Sequence, residues 1–182
     1  MTQPGTPNWG ERLTQAASRM SIARSSRRNP LRGLAVFVAT CGWAGYAPVA
    51  SGTVGTLVAV PLFPALTRLW NMSPPSYLLA FALILAGAVW AAGVATRDFG
   101  EPDSSHIVID EVAGYVVATA FLEFSWSAAA VAFCLFRLFD ILKPFPVSWV
   151  DRHVHGGAGV VGDDVVAGIF AGVAARVLLS FL

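Results

Sequence analysis

The chain has 182 residues, 55% of them hydrophobic and only 13% charged, whereas roughly a quarter of the residues of a soluble domain are charged. That excludes an ordinary water-soluble domain and points to a chain with lipid around it. The formal net charge of +1 hides an asymmetry: residues 1–33 carry Arg12, Arg19, Arg24, Arg27, Arg28 and Arg32 against the single acid Glu11, while the remainder is net acidic. An Arg-rich arm ahead of apolar sequence is expected to be flexible, to lie in the cytoplasm against anionic headgroups and to fix topology; nothing in it suggests a nucleic-acid partner.

In chain order, the arm is followed by LAVFVATC. An apolar run of about eight residues, with Thr40 before Cys41, is a poor secretory or lipoprotein signal. Cys41 and Cys134 both sit in apolar sequence and are expected to be packed, unreactive thiols. Between Leu34 and Trp70 the stretch CGWAGYAPVASGTVGT is too rich in Gly, with a Pro, for one unbroken helix, so a helical hairpin or re-entrant element is expected. Tyr77 to Ala95 is 19 residues without a formal charge, long enough to cross a hydrocarbon layer of ~30 Å at 1.5 Å per residue. A polar loop, RDFGEPDSSH, leads to a helix expected over His106–Leu122. A second helix, Trp126–Leu142, comes after the turn EFSWS, and both are short for full spans. The polar segment from Lys143 to Asp164 then precedes a last apolar helix, expected from about Asp164 to Leu182. The whole describes an all-α, polytopic helical membrane protein: an arm over 1–33 and one membrane-embedded domain over 34–182, with its polar motifs gathered on the cytoplasmic face.

Nine of the eleven acids, Asp98, Glu101, Asp103, Asp110, Glu111, Asp140, Asp151, Asp163 and Asp164, lie in or beside those polar segments or at the mouths of apolar helices. Ionisable groups are expensive at membrane depth, so such placement argues for a site. In HIVIDEVAG, His106 falls one turn before Asp110 on the expected helix. In FRLFDILKP, Asp140 stands three residues from both Arg137 and Lys143. In GDDVVAG, Asp163 and Asp164 stand where a helix would begin. Singly, these are helix caps and ion-pair ladders. Together, three acidic helix ends describe a hard-cation site, since Mg²⁺ takes carboxylate and water oxygens; the spacing of HVH does not suit Zn²⁺. Arg137, Lys143 and Arg152 are then candidates to bind phosphate. SGTVGT, with Thr53 and Thr56, adds the N–H groups of a helix N-terminus.

SGTVGTLVAVP, HIVIDEVAGY and FRLFDILKPFPVSWVDRHVHGGAGVVGDDVVAGIFAG resemble, in order and spacing, the phosphatidylglycerophosphatase A family, over roughly residues 34–182. The resemblance implies an all-helical, Mg²⁺-dependent phosphatase converting phosphatidylglycerophosphate to phosphatidylglycerol at the bacterial inner membrane. It maps the family's acidic positions onto Asp110, Glu111, Asp140, Asp163 and Asp164, and its basic ones onto Arg137 and Lys143. Family members commonly have Pro where Ser51 stands here. Within that set, Asp110 or Glu111 is expected to take a proton from water, Arg137 and Lys143 to stabilise the transferring phosphoryl, and His106 or His155 to protonate the leaving glycerol oxygen.

Two other classes can be weighed. A metal-independent lipid phosphatase with a His nucleophile is partly imitated by Arg97, His106 and Asp110, but the Arg-to-His spacing is too long and no Ser-Gly-His follows. A cation channel or carrier would place acids in the middle of spans, whereas these cluster at their ends. Oligomeric state is not legible.

Overall fold

The computed structural model describes residues 30–101 and 104–181; the Arg-rich arm up to residue 29, and Asp103, lie outside the described residues. Those residues form helices and turns, with no strand among them.

The region expected to be a broken helical element is three helices. Helix α1 (Pro30–Ala39) ends in a left-handed turn at Cys41 and Gly42, followed by a short 3-10 turn over Ala44–Tyr46. Helix α2 (Ser51–Ala59) and helix α3 (Leu62–Met72) follow each other almost without pause, together long and apolar enough to cross a membrane. Pro61 and Pro64 lack the N–H groups that would continue the hydrogen-bond ladder, so the junction closes instead on i to i+3 bonds from Val60 to Leu57 and from Phe63 to Val60.

Helix α4 (Pro74–Phe99) starts on two prolines in its first turn and stops at Gly100, whose φ of 72° supplies a left-handed cap. Its 26 residues contain the expected span and reach about 39 Å. Helix α5 is shorter than its apolar sequence suggested: it runs Ile109–Ala118, about 15 Å, too short to cross. It is the buried centre of the bundle, with Val112, Ala113, Gly114, Tyr115 and Val116 all buried, and it packs on α2, α4, the next helix and, most extensively, the last helix of the chain. Helix α6 (Trp126–Leu142) is capped by Ser125, whose hydroxyl accepts the Ala128 N–H at 3.0 Å. The polar segment after it contains a further short helix, α7 (Val147–His153).

Helix α8 (Gly157–Leu179) begins seven residues earlier than its acidic pair suggested, because the run GGAGVVG packs as helix against α4. Small residues set how closely α8 lies on α5. A β-carbon on Gly168 would run into the Gly114 carbonyl, and one on Gly114 would meet the Phe136 ring and, at 2.8 Å, the Asp164 carbonyl. In lipid, where apolar side chains gain nothing by meeting one another, such backbone proximity is what drives helix association.

Large apolar side chains point outward: Leu78, Leu79 and Leu83 from α4, Leu138 and Ile141 from α6, Ile169, Phe170 and Val173 from α8. Together with three helical stretches long and apolar enough to span, Ser51–Met72, Pro74–Phe99 and Gly157–Leu179, this gives a lipid-facing exterior. Exposed Trp43, Tyr46, Phe145 and Trp149 gather at one end of the bundle, and exposed Phe121, Trp126 and Phe181 at the other, as aromatic belts do at the two interfaces.

Candidate active site

The first of these ends holds a cavity of about 630 Å³ whose lining includes Asp110, Glu111, Asp140, Asp151, Asp163 and Asp164. Four helices deliver the six carboxylates. Asp110 and Glu111 come from the first turn of α5, Asp140 from the last turn of α6, Asp151 from α7, and Asp163 with Asp164 from the second turn of α8. Since α8 starts at Gly157, the last pair does not cap a helix; it is buried, with Asp163 6% and Asp164 4% exposed. Oxygens of Glu111, Asp140 and Asp164 all lie within 4.8 Å of one another.

Of the two cations of FRLFDILKP, only Arg137 shares the face of Asp140. Arg137 pairs with Asp140 at 2.9 Å and also with Glu111, leaving its Nε buried without a partner. Lys143 ends α6 in the left-handed region, φ 42°. That turn carries its ammonium to Asp163 at 2.7 Å and to Asp151. Burial alone would lower the Lys143 pKa, but hydrogen bonds and attraction from Asp151 and Asp163 outweigh it and raise the pKa above the ordinary lysine value. Six carboxylates therefore face two cations. Asp163 and Asp164 are buried and Asp110, Glu111 and Asp140 half-buried, and acids so placed in that excess are costly unless a further positive charge joins them. All-oxygen donors, with no Cys or His in the group of three, fit a hard divalent cation.

Ser51 and Gly52 form part of the cavity wall. They open α2, whose N-cap residue Ala50 is left-handed (φ 52°) and gives no side-chain cap; the first N–H groups of such a helix suit an anion. Gly52 leaves the Glu111 carboxylate its place, since a β-carbon there would overlap it. Thr56 is buried and points inward, donating to the Gly52 carbonyl at 2.9 Å and lying 3.5 Å from Glu111 Oε2. His155 also lines the cavity.

Other expected residues fall elsewhere. His106 precedes α5 instead of sharing its face with Asp110; its Nδ1 lies 3.2 Å from the Gly45 carbonyl and its ring stacks on Tyr46 at 4.6 Å. Of the residues expected to bind phosphate, Lys143 lines the cavity, while Thr53, Thr56, Arg137 and Arg152 are not among its lining residues, and Arg152 is exposed. Burial and the charge of Asp110 push the Cys41 thiol up to about 11, an inert group, while Cys134 is exposed on the apolar exterior instead of packed. The helix N-terminus expected at SGTVGT does line the cavity through Ser51 and Gly52, whereas Asp151 is a partner there that sequence spacing did not single out. Asp151 lies eight residues beyond Lys143, a separation that means nothing until α7 folds back.

An all-helical bundle with an apolar exterior and an acid-lined cavity at one end has the build of a membrane-associated protein with a polar site. The phosphatidylglycerophosphatase A family profile matches residues 37–179, and the chain belongs to that family of phosphatases. It is 34% identical over 151 residues to the phosphatidylglycerophosphatase A of Escherichia coli (strain K12), covering 82% of this chain and 83% of the relative. Against the phosphatidylglycerophosphatase A of Haemophilus influenzae the figures are 35% over 151 residues, 82% and 89%. A Bacteroides thetaiotaomicron protein provisionally named a phosphatidylinositol-3-phosphatase is 34% identical over 149 residues, 76% and 89%. No solved structure matches the chain.

Proposed function

We propose that the protein hydrolyses the phosphomonoester of phosphatidylglycerophosphate, with Mg²⁺, at the cytoplasmic face of a bacterial inner membrane. The observation that carries this reading is the convergence of Glu111, Asp140 and Asp164 within 4.8 Å, on a cavity that also exposes a helix N-terminus and a lysine. Glu111, Asp140 and Asp164 would hold the cation, which when bound supplies Lewis-acid polarisation of the phosphoryl group and acidifies water.

The chain's own groups carry the remaining work. Arg137 keeps Glu111 and Asp140 at their posts. The α2 N–H groups and Lys143, itself aimed by Asp151 and Asp163, receive the phosphoryl oxygens and stabilise charge that develops on them. Asp110 takes the proton of the attacking water as its oxygen bonds to phosphorus. The bond from phosphorus to the glycerol oxygen breaks, and that oxygen takes a proton from His155 at the cavity mouth. His106, turned to Gly45 and Tyr46, has no part in this scheme, which also counts against a histidine nucleophile. The arm over residues 1–33 serves as a cytoplasmic contact to anionic lipid.

Purified protein should release phosphate from phosphatidylglycerophosphate with Mg²⁺ and stop in EDTA. Phosphatidylinositol-3-phosphate in the same assay tests the substrate named for the Bacteroides relative, and faster release from it would overturn the assignment. Activity untouched by EDTA would remove the metal.

A further inference from the structure

A second cavity lies away from the acidic one. It is an apolar groove of about 430 Å³, walled by Phe81 and Leu85 of α4, Val117 of α5 and the following Ala120 and Phe121, and Val165, Ile169 and Val173 of α8, and it ends at Arg176. Along α8 the distance from Val165 to Arg176 is about 16 Å, and Arg176 stands about 18 Å from the level of Asp164. Its end is that of the second aromatic belt, where Phe121, Trp126 and Phe181 are exposed.

Arg176 is unlike the bundle's other site cations. Arg137 and Lys143 are each held by two carboxylates. Arg176 is exposed and, among the described residues, forms no ion pair; its one hydrogen bond goes to the Phe121 carbonyl. Glu123, in the adjoining turn, does not pair with it. A guanidinium has five N–H donors, so most of its capacity remains for a ligand, and the planar fork suits phosphate oxygens. An apolar groove open to the hydrocarbon layer and closed at the interface by such a cation matches a lipid that lays an acyl chain in the groove and offers a phosphate to the cation.

We propose that this groove is a phospholipid site of the leaflet opposite the acidic cavity, with an acyl chain against Ile169 and Val173 and the lipid phosphate on Arg176. It is independent of the reaction assigned to the acidic cavity. Occupied, it would clamp α8 to α4 and α5 near the interface, at the end where Gly172 lies close under the Ala118 carbonyl.

The full chain in detergent can be incubated with phosphatidylglycerol, phosphatidylethanolamine or diacylglycerol, and the retained lipid counted by native mass spectrometry. Wild type should retain one molecule of either phospholipid, whose phosphate is common to both, and little diacylglycerol. Arg176→Gln should lower retention about tenfold, the worth of a lost charge-assisted hydrogen bond. Val173→Trp, a lipid-facing change that fills the groove without touching the core, should lower it similarly. Phosphate release in detergent should be unchanged in both variants. Equal retention of diacylglycerol, or retention unchanged in both variants, would overturn the site. Loss of retention and turnover together would also overturn it, by moving the lipid to the acidic cavity.

Discussion

Gly52 and Glu111, on separate helices, stand so close that any β-carbon on the glycine would occupy the position of the glutamate's carboxylate oxygen and crowd Arg137 at 3.2 Å. The glycine of SGTVGT thus makes room for an acid 59 positions later. Gly52→Ala should push Glu111 out of reach of Asp140 and Asp164. Turnover should fall ~10-fold to 100-fold, the scale seen when a residue supporting a metal ligand is lost, with a higher Mg²⁺ requirement. Thermal stability should hold, because alanine is the better helix former by ~1 kcal/mol. Wild-type turnover with an unchanged Mg²⁺ dependence would remove Glu111 from the metal site.

Asp140→Asn and Asp164→Asn each delete a full charge from the group of three carboxylates. Each should lower phosphate release by orders of magnitude, and excess Mg²⁺ should restore little. His106→Ala loses a stacking contact with Tyr46 and a bond to the Gly45 carbonyl, so its cost should appear in melting temperature more than in turnover. A dead His106→Ala enzyme that melts like wild type, or a phosphohistidine trapped after acid quench, would restore the histidine mechanism.

Arg137 offsets the repulsion between Glu111 and Asp140. Arg137→Met leaves both acids without their cation, and removing one side of a buried pair costs ~3–5 kcal/mol. Added Mg²⁺ binds only the folded site and should recover part of this loss. The rise in melting temperature on adding Mg²⁺ should therefore be larger for the variant than for wild type. An equal rise in both would show that the cation binds away from Glu111 and Asp140.

Deleting residues 1 to 29 removes five arginines and one glutamate but no group of the acidic cavity. Turnover in detergent should stay within about twofold, since no substrate or metal contact is lost. In vesicles containing anionic lipid the truncated chain should lose affinity in a salt-dependent way, with about 1 kcal/mol of attraction gone for each arginine near the surface. Truncation that abolishes detergent turnover in a folded protein would make the arm part of the site.

Much of the site was legible before folding because charge in an apolar chain is itself a signal. Asp110, Glu111, Asp140, Asp163 and Asp164 stood out as acids at the edges of hydrophobic runs, and all five line one cavity. Helix ends were less legible: His106 was expected on a helix that starts only at Ile109, and Asp163 at the start of one that already begins at Gly157. Apolar periodicity marks the middle of a helix and leaves its first turn open.

Composition and the order of polar and apolar segments determined that this chain is a helical membrane protein with its acids gathered at helix mouths, because solvation acts on each segment separately. Which acids share oxygens within 4.8 Å, that Lys143 turns to Asp163 and not to Asp140, that Arg137 holds carboxylates and that His106 packs on Tyr46 were decided only in three dimensions. Those outcomes depend on a left-handed cap at Lys143 and on the close crossing of α5 and α8 at Gly114 and Gly168. Contacts between residues 20 to 61 positions apart are set by how helices pack, and no local property of the sequence encodes them.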